Sequence, residues 1–203
     1  ANGATMIAAN DITFTSNLTE TRPTIDQRCS GSCVWDLTTL TNTVWGVALS
    51  GSGTHGFHNT TVASTQRNID AAGTGEVSLN NLNLTGSDAA ISLRGPDSQI
   101  DGATLSLLSS AALGVDVLDG EHHWKDLEIT KPYSSQDTTS IGVKAWYSSI
   151  VAETLTISNH ATGLDATDST LSGGTFTVVD GASIGLGLHD THLMLDTLST
   201  RVF

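Results

Sequence analysis

The sequence predicts an all-β solenoid in which short strands stack coil upon coil. Three observations support this prediction: apolar residues recur about every 22 positions, each recurrence lies in a segment that alternates apolar and polar residues, and turn-forming residues separate these segments. A helical period of 3.6 residues is not evident along the chain. Because one coil cannot bury its apolar side alone, successive coils must stack and share a core.

Two columns of apolar residues set the register of the coils. The first column is Leu40, Val62, Leu84, Leu107, Ile129, Ile157 and Val178. The second column is Val47, Ile69, Ile91, Val115, Val143, Leu164 and Leu186. Steps within the columns are 21 to 24 residues, except for one step of 28 in each. Both long steps contain KPYSSQDTTS, which predicts a longer polar loop at about residues 131–140.

The fixed period favours a solenoid over a sandwich of hairpins. Hairpins would show two-residue turns such as Asn-Gly and no long constant period. With strands stacked roughly 4.8 Å apart, about eight coils would make a rod on the order of 40 Å long. We expect a single β-helix domain over residues 1–203, either as a processed mature form or as a fragment of a longer chain.

In its periodicity, residues 12–200 of the chain resemble the right-handed parallel β-helix of the pectate-lyase-like class. The resemblance rests on coil length and not on an invariant motif. It implies a right-handed coil of three short strands, and the polysaccharide-processing members of the class use a surface groove along stacked coils. GTHGF at residues 53–57 is only loosely similar to a hydrolase Gly-His-Gly. No catalytic residue is therefore carried over from the class.

Composition and charge exclude several kinds of partner. Eight Lys and Arg residues against 21 Asp and Glu residues give a net charge of −13, which disfavours nucleic acid and anionic membranes. No run of 18 apolar residues predicts membrane insertion, and the stretch ANGATMIAAN lacks the features of a signal peptide. Scarce lysines and three sequons, at Asn17, Asn59 and Asn83, fit a glycosylated extracellular or cell-surface protein.

The residues that follow the second column predict an outward ladder of charges. On this ladder Lys144 lies between Asp116 and Asp165 on neighbouring coils. Two residues after the ladder position, in three of the coils, lie the candidates for carbohydrate binding: Arg94, Trp146 and His189. If the protein is an enzyme, the lysine and the two carboxylates are its candidate catalytic groups, and the Trp ring could stack on a sugar. Alternatively, opposite charges on stacked coils merely relieve repulsion, and no residue is then catalytic.

A second outward surface is rich in threonine, which raises ice binding as a minor alternative. Its predicted first column is Thr39, Thr61, Asn83, Ser106, Glu128, Thr156 and Thr177. Glu128, Asn83 and, in the next column, Leu108 interrupt the array. Threonine is also an ordinary residue on exposed strands because it is both β-branched and polar.

The two cysteines have two interpretations. RCSGSC places Cys29 and Cys33 around a flexible Ser-Gly-Ser, which favours a short-loop disulfide in a secreted protein. The alternative is a zinc site formed with His55, one period after Cys33, and with His58. Because the spacing is not that of a standard zinc finger, we favour the disulfide and expect no metal and no cofactor.

The densest polar cluster is DGEHHWKD at residues 119–126. It predicts a solvated loop that enters a strand at Leu127. His122 and His123 would alternate sides in an extended chain, so they are not expected to share a metal. Trp124, like Trp35 and Phe57, is predicted to pack at a corner of the coil.

These observations favour an extracellular structural or adhesive cell-surface protein that assembles end to end into a filament or layer. The predicted solenoid has neither a helix nor a charged cap at its ends, and unpaired strand edges favour association with other copies. The alternative is a carbohydrate-active or carbohydrate-binding β-helix, such as a polysaccharide lyase, epimerase, hydrolase or phage tailspike-like protein. Enzymatic activity is the less favoured of the two, because no complete catalytic cluster is present. Surface glycans are the other expected partner.

Overall fold

A computed structural model describes residues 12–15, 23–36, 38–73, 75–86, 88–95, 97–107, 112–132, 138–181 and 184–202. Within these ranges the regular elements are all β-strands and none is a helix. The strands are β1 (Ile12–Thr15), β2 (Pro23–Arg28), β3 (Ser32–Asp36), β4 (Thr38–Ser50), β5 (Thr54–Ala72), β6 (Glu76–Thr85), β7 (Ala89–Arg94), β8 (Asp97–Ser106), β9 (Leu113–Leu118), β10 (Glu121–Thr130), β11 (Ile141–Trp146), β12 (Ser149–Ser158), β13 (Thr162–Thr167), β14 (Thr170–Gly181), β15 (Ile184–His189) and β16 (His192–Val202).

The strands form a parallel β-solenoid. Each strand pairs in parallel with the equivalent strand one coil away, and the column from Ile25 to Leu186 takes seven such steps. The structure has about seven turns of about 22 residues each, close to the eight coils predicted. The all-β parallel solenoid is thereby confirmed, whereas its right-handedness stays a prediction.

Each coil contributes one strand segment to each of three faces. Face A comprises β2, the last parts of β4 and β5, and then β7, β9, β11, β13 and β15. Face B comprises β3 and the first parts of β5, β6, β8, β10, β12, β14 and β16. Face C comprises β1, the first part of β4, the middle of β5 and the last parts of β6, β8, β10, β12, β14 and β16.

Residues in the left-handed region turn the chain at the corners between faces. After the coil of β2 and β3, the corner from face A to face B has one such residue in each of the next seven coils: Gly51, Gly73, Gly95, Asp119, Tyr147, Asp168 and Asp190. The bend from face B to face C uses Asn59, Asn81, Gly102 and Asp126. Asn59 Nδ2 donates to Asp36 Oδ1, and Asn81 Nδ2 donates to Asn59 Oδ1, both at 2.7 Å. Asn and Asp tolerate this conformation and also bond locally, so they suit stacked bends.

The core is a set of inward columns that run along the solenoid. The predicted second column is confirmed residue by residue as the core of face A. The first column is correct except at one coil, because Leu105 and not Leu107 pairs with Leu84 and Ile129. Leu107 is also fully buried, but it lies beyond the end of β8.

Three large aromatic side chains of the core lie on face B. Trp35, Phe57 and Trp124 occupy one inward column, which confirms their predicted packing role. The predicted loop at residues 119–126 is wrong, because β10 begins at Glu121 and continues the stack. His122 is accordingly fully buried whereas His123 is exposed.

The connection between β10 and β11 spans the predicted longer loop. β10 ends at Thr130 and β11 begins at Ile141. Residues 133–137 of this connection lie outside the described residues. Lys131 is buried at its start, and its carbonyl accepts a hydrogen bond from Asn159 Nδ2 at 2.7 Å.

Candidate functional site

The predicted charge ladder lies on the outward side of face A. Lys144 on β11 pairs with Asp116 on β9 and with Asp165 on β13. Since adjacent parallel strands are about 4.8 Å apart, the lysine stands between two carboxylates. The structure therefore brings together the three candidate catalytic residues.

A shallow cleft lies beside this ladder. Arg94 Nη2 is 3.5 Å from Asp116 Oδ2, and Lys144 Nζ is 4.4 Å from the centre of the Trp146 ring, a cation–π contact. The cleft has a volume of about 160 Å³ and is lined by Arg94, Asp116, Val117, Leu118, Lys144 and Trp146. Both cations of the cleft thus have a partner within the protein.

Exposed aromatic surface marks the edge of the cleft. Trp146 is 43% exposed and the next residue, Tyr147, is 59% exposed. Leu118 lies one strand away from Trp146. A partly exposed indole beside an aliphatic side chain is suited to stacking against the C–H face of a sugar ring. Because small-molecule pockets usually measure roughly 300–1,000 Å³, this cleft fits part of a ligand laid along the surface rather than an enclosed one.

His189 lies outside the cleft lining, although it shares the same outward edge. It is two strands from Trp146 through Thr167, or roughly 10 Å at the usual strand spacing. Its Nε2 is 3.3 Å from Asp190 Oδ2, and both side chains are largely exposed. Of the three carbohydrate-binding candidates, Arg94 and Trp146 therefore border the cleft and His189 does not.

Sequence reasoning missed Tyr147 and the pairing of Arg94 with Asp116. Tyr147 follows Trp146 in the sequence WYSS, and its position at the corner, with a φ of 53°, places it at the surface. The adjacent Trp-Tyr pair was the available signal. The ion pair is diagonal between neighbouring strands, so a strict comparison of equivalent positions does not show it.

The cysteines form the predicted disulfide, Cys29–Cys33, with Cα atoms 6.2 Å apart. Trp35 Nε1 donates to Gln27 Oε1, so Gln27 Nε2 donates to the Cys33 carbonyl at 3.2 Å and to His55 Nδ1 at 2.9 Å. The ring proton of neutral His55 is then on Nε2. The zinc alternative with His55 and His58 is wrong for this structure, because both thiols are joined in the disulfide and neither can bind a metal as a thiolate.

His55 is buried at the corner between faces A and B. Its Nε2 has no hydrogen-bond partner among the described residues, and it borders a cavity of about 10 Å³ beside the Gly51, Gly73 and Gly75 backbones. A cavity of this size is about the minimum for one water molecule. Burial lowers the pKa of His55, and the Gly51 carbonyl opposes this effect.

His122 is a second buried histidine, and its hydrogen bonds are satisfied. Its Nε2 donates to the Asp119 carbonyl at 3.0 Å, and its Nδ1 accepts from Ser98 Oγ at 2.9 Å. Burial lowers its pKa, whereas the Asp119 carbonyl and the charge of Asp97 oppose the shift. A hydrogen-bonded core histidine of this kind is structural. Among the described residues, no group of three or more His, Cys, Asp or Glu side chains is arranged to hold a metal ion.

The threonine-rich surface is the outward side of face C. The predicted register is wrong at one coil: Thr104 stands where Ser106 was expected, and Ser106 where Leu108 was expected. Leu108 itself lies outside the described residues. Asn83 and Glu128 still interrupt the first column. The array of hydroxyl groups is therefore more regular than the sequence predicted.

The three sequons have different surroundings. Asn83 is exposed on face C. The Asn59 amide donates to Asp36, so a glycan attached there would compete with that hydrogen bond. Asn17 lies outside the described residues. Glycosylation stays a prediction at all three.

No protein-family model matches this chain, and no curated protein or solved structure shows a significant match to it. The described part of the chain contains no helix that is long and apolar enough to cross a membrane.

Proposed function

We propose that this chain is part of a rigid extracellular rod with a structural or adhesive role at a cell surface. In this proposal the rod contacts surface glycans through the cleft on face A and joins other copies end to end. A continuous core along about seven turns supports a rigid rod. The disulfide is consistent with an oxidising compartment, such as the cell exterior.

The coil formed by β15 and β16 is the main support for assembly. Leu188 and Leu198 continue inward columns in which the preceding residues, Ala166 and Phe176, are at most 1% exposed. Both leucines are nevertheless 41% exposed. Among the described strands, β15 and β16 have a neighbour on one side only. Apolar side chains on an unpaired edge favour pairing with a further strand, and in this proposal a coil from a second copy supplies that strand and covers both leucines.

Replacing both leucines by glutamate tests end-to-end assembly. We expect the wild type to show concentration-dependent light scattering and head-to-tail fibres in negative-stain electron microscopy. Leu188→Glu/Leu198→Glu should remain as single rods, because charge on the open edge opposes stacking. Met194→Glu is the matched control, since Met194 is exposed in an outward column of the same coil. Isolated short rods of the wild type at every concentration would overturn this part of the proposal.

Polysaccharide cleavage is the alternative role for the same cleft. It is favoured by the position of Lys144 between two carboxylates, where a carboxylate could accept a proton from a bound sugar while the lysine cation stabilises the negative charge that develops. The test is the release of unsaturated or reducing sugars from a panel of polysaccharides. Lys144→Ala should abolish any such activity, and full activity in this variant would remove the proposed catalytic site.

Ice binding through face C is a second candidate, favoured by the corrected register. In its two outward columns between Thr39 and Val179, Glu128 is the one charged residue among those described. The test is inhibition of ice recrystallisation. Glu128→Thr should strengthen inhibition by completing the array, and Thr104→Tyr should weaken it. No inhibition by the wild type or by Glu128→Thr would exclude this role.

A further inference from the structure

We propose that the cleft on face A selects uncharged sugars over uronic and other acidic sugars. This inference rests on the proposed glycan contact and specifies the class of its ligand. It follows from how the charges of the cleft are arranged, and it concerns the residues around Trp146. Acidic polymers are the ligands that a lysine and an arginine in a cleft would otherwise suggest.

Both cations of the cleft already have a partner in the protein, and each stands beside a carboxylate. Arg94 pairs with Asp116 at 3.5 Å, and Lys144 lies between Asp116 and Asp165 on the flanking strands. An acidic sugar would have to displace one of these carboxylates or approach it closely. Both routes leave like charges near each other at short range, in a chain whose net charge is −13.

An uncharged sugar avoids this repulsion and still finds partners. Sugar hydroxyl groups both donate and accept hydrogen bonds, so one hydroxyl can donate to Asp116 while a second accepts from Arg94. The exposed part of the Trp146 ring and the neighbouring Leu118 offer an apolar surface to the C–H groups of the ring. The contact of Lys144 with the indole limits the orientations of the Trp146 side chain, which lowers the entropy cost of stacking.

Asp116 and Asp165 are therefore specificity residues, because they repel acidic sugars. Replacing them by asparagine keeps shape and hydrogen-bonding capacity but removes two negative charges beside Arg94 and Lys144, which favours an anionic ligand. The double variant should consequently gain affinity for acidic sugars, and this gain should disappear at high salt. A gain of binding cannot result from misfolding, so it separates charge selection from a general loss of structure.

The experiment titrates the intact chain with three hexasaccharides, namely cellohexaose, mannohexaose and hexagalacturonate, while Trp fluorescence and NMR shifts of Trp146 are recorded. We expect at least one neutral hexasaccharide to bind the wild type at least tenfold more tightly than hexagalacturonate. Asp116→Asn/Asp165→Asn should bind hexagalacturonate at least tenfold more tightly than the wild type does at low salt. Asp101→Asn/Glu153→Gln, which removes two exposed carboxylates from outside the cleft, should not. Trp146→Ala should lose neutral binding, which for this variant is followed through the NMR shifts of Leu118.

The outcomes distinguish the inference from the function on which it rests. Tighter binding of hexagalacturonate by the wild type would overturn charge selection but leave glycan contact intact. The same would hold if the control variant gained acidic binding equally. If no glycan in a wider array of neutral and acidic sugars perturbs Trp146, the glycan contact itself is overturned, whereas end-to-end assembly is judged separately by the Leu188 and Leu198 variants.

Discussion

Gly51 occupies a backbone conformation that a side chain would disturb in two ways. Its φ is 108°, and a Cβ atom there would lie 2.2 Å from the Cys29 carbonyl oxygen. Gly31, two residues before Cys33, has open space around the same position. We expect Gly51→Ala to lower the free energy of unfolding by about 1–3 kcal/mol, the usual cost of such strain. Gly31→Ala should change it by less than about 0.5 kcal/mol in urea denaturation, and equal effects would contradict this account.

The two buried histidines make stability depend on pH. Burial lowers the pKa of both His55 and His122, so the unfolded chain binds protons at a higher pH than the folded chain. Their contribution is complete above the ordinary histidine pKa of about 6.5 and is lost as the pH falls from there toward the lower folded values. We expect the urea concentration at the midpoint of unfolding to decrease as the pH is lowered from 8 to 5.5.

The exposed His189 provides the control for this pH dependence. His122→Asn should reduce the change in midpoint between the two pH values, even though it also lowers stability at pH 8. His189→Asn, at a largely exposed side chain, should leave the change as it is in the wild type. A midpoint that is constant over this range would show that neither buried histidine controls acid stability.

The disulfide should stabilise the coil that contains β2 and β3 far more than it stabilises coils further along the stack. It joins the end of β2 to the start of β3, and the chain-entropy relation for so short a loop gives about 2 kcal/mol. Coils of a solenoid contact only their neighbours, so the effect should decay along the stack. After reduction we expect faster hydrogen exchange in β2 to β4 and unchanged exchange in β11 to β13. Uniformly faster exchange would instead indicate one cooperative unit.

Periodicity predicted the strands of face A correctly but left an ambiguity on face C. A shift of the pairing register by one residue would turn the apolar side chains outward, so the alternation of apolar and polar residues excludes it. A shift of the pairing register by two residues keeps the same face inward, and LSLL at residues 105–108 offers both Leu105 and Leu107 as core residues. Only pairing with Leu84 and Ile129 decides between them. The first half of β10 was missed because its inward His122 reads as polar, although hydrogen bonds from Ser98 and to the Asp119 carbonyl make it a core residue.

The order of charged residues at the candidate site could be predicted from the sequence, but the side-chain contacts that form the cleft could not. Equivalent positions on successive coils placed Lys144 between Asp116 and Asp165, since register alone determines this order. The contacts of Arg94 with Asp116 and of Lys144 with Trp146 depend on side-chain directions, which the coil period does not contain. The buried Gln27 network was unpredictable for the same reason.

The excess of negative charge acts on the molecule as a whole. Glu76, Asp97 and Glu121 lie exposed at the start of face B strands on consecutive coils. Like charges at strand spacing repel, and added salt screens them. We expect the unfolding temperature, followed by circular dichroism, to rise as NaCl increases from about 0.01 M toward about 1 M, where the Debye length falls from roughly 30 Å to 3 Å. A falling unfolding temperature would mean that ion pairs such as Arg94 with Asp116 dominate.

Single substitutions locate this repulsion. Glu76→Gln should raise the unfolding temperature at low salt and make it less sensitive to NaCl. Glu128→Gln should have little effect, because its neighbours on the adjacent coils, Thr104 and Thr156, are uncharged. Equal effects of the two substitutions would indicate that net charge matters and local stacking does not.

Because each coil contacts only the coils next to it, we expect the molecule to unfold one coil after another when the chain is pulled from one end. Tension applied along the chain meets one coil at a time and never the whole core at once. Each coil of about 22 residues that comes free would lengthen the tether by roughly 70 Å, given about 3.3 Å per extended residue. A rod built in this way would lengthen in steps of one coil under load, with a longer step at the coil that contains residues 131–140, and could refold coil by coil when the load is removed.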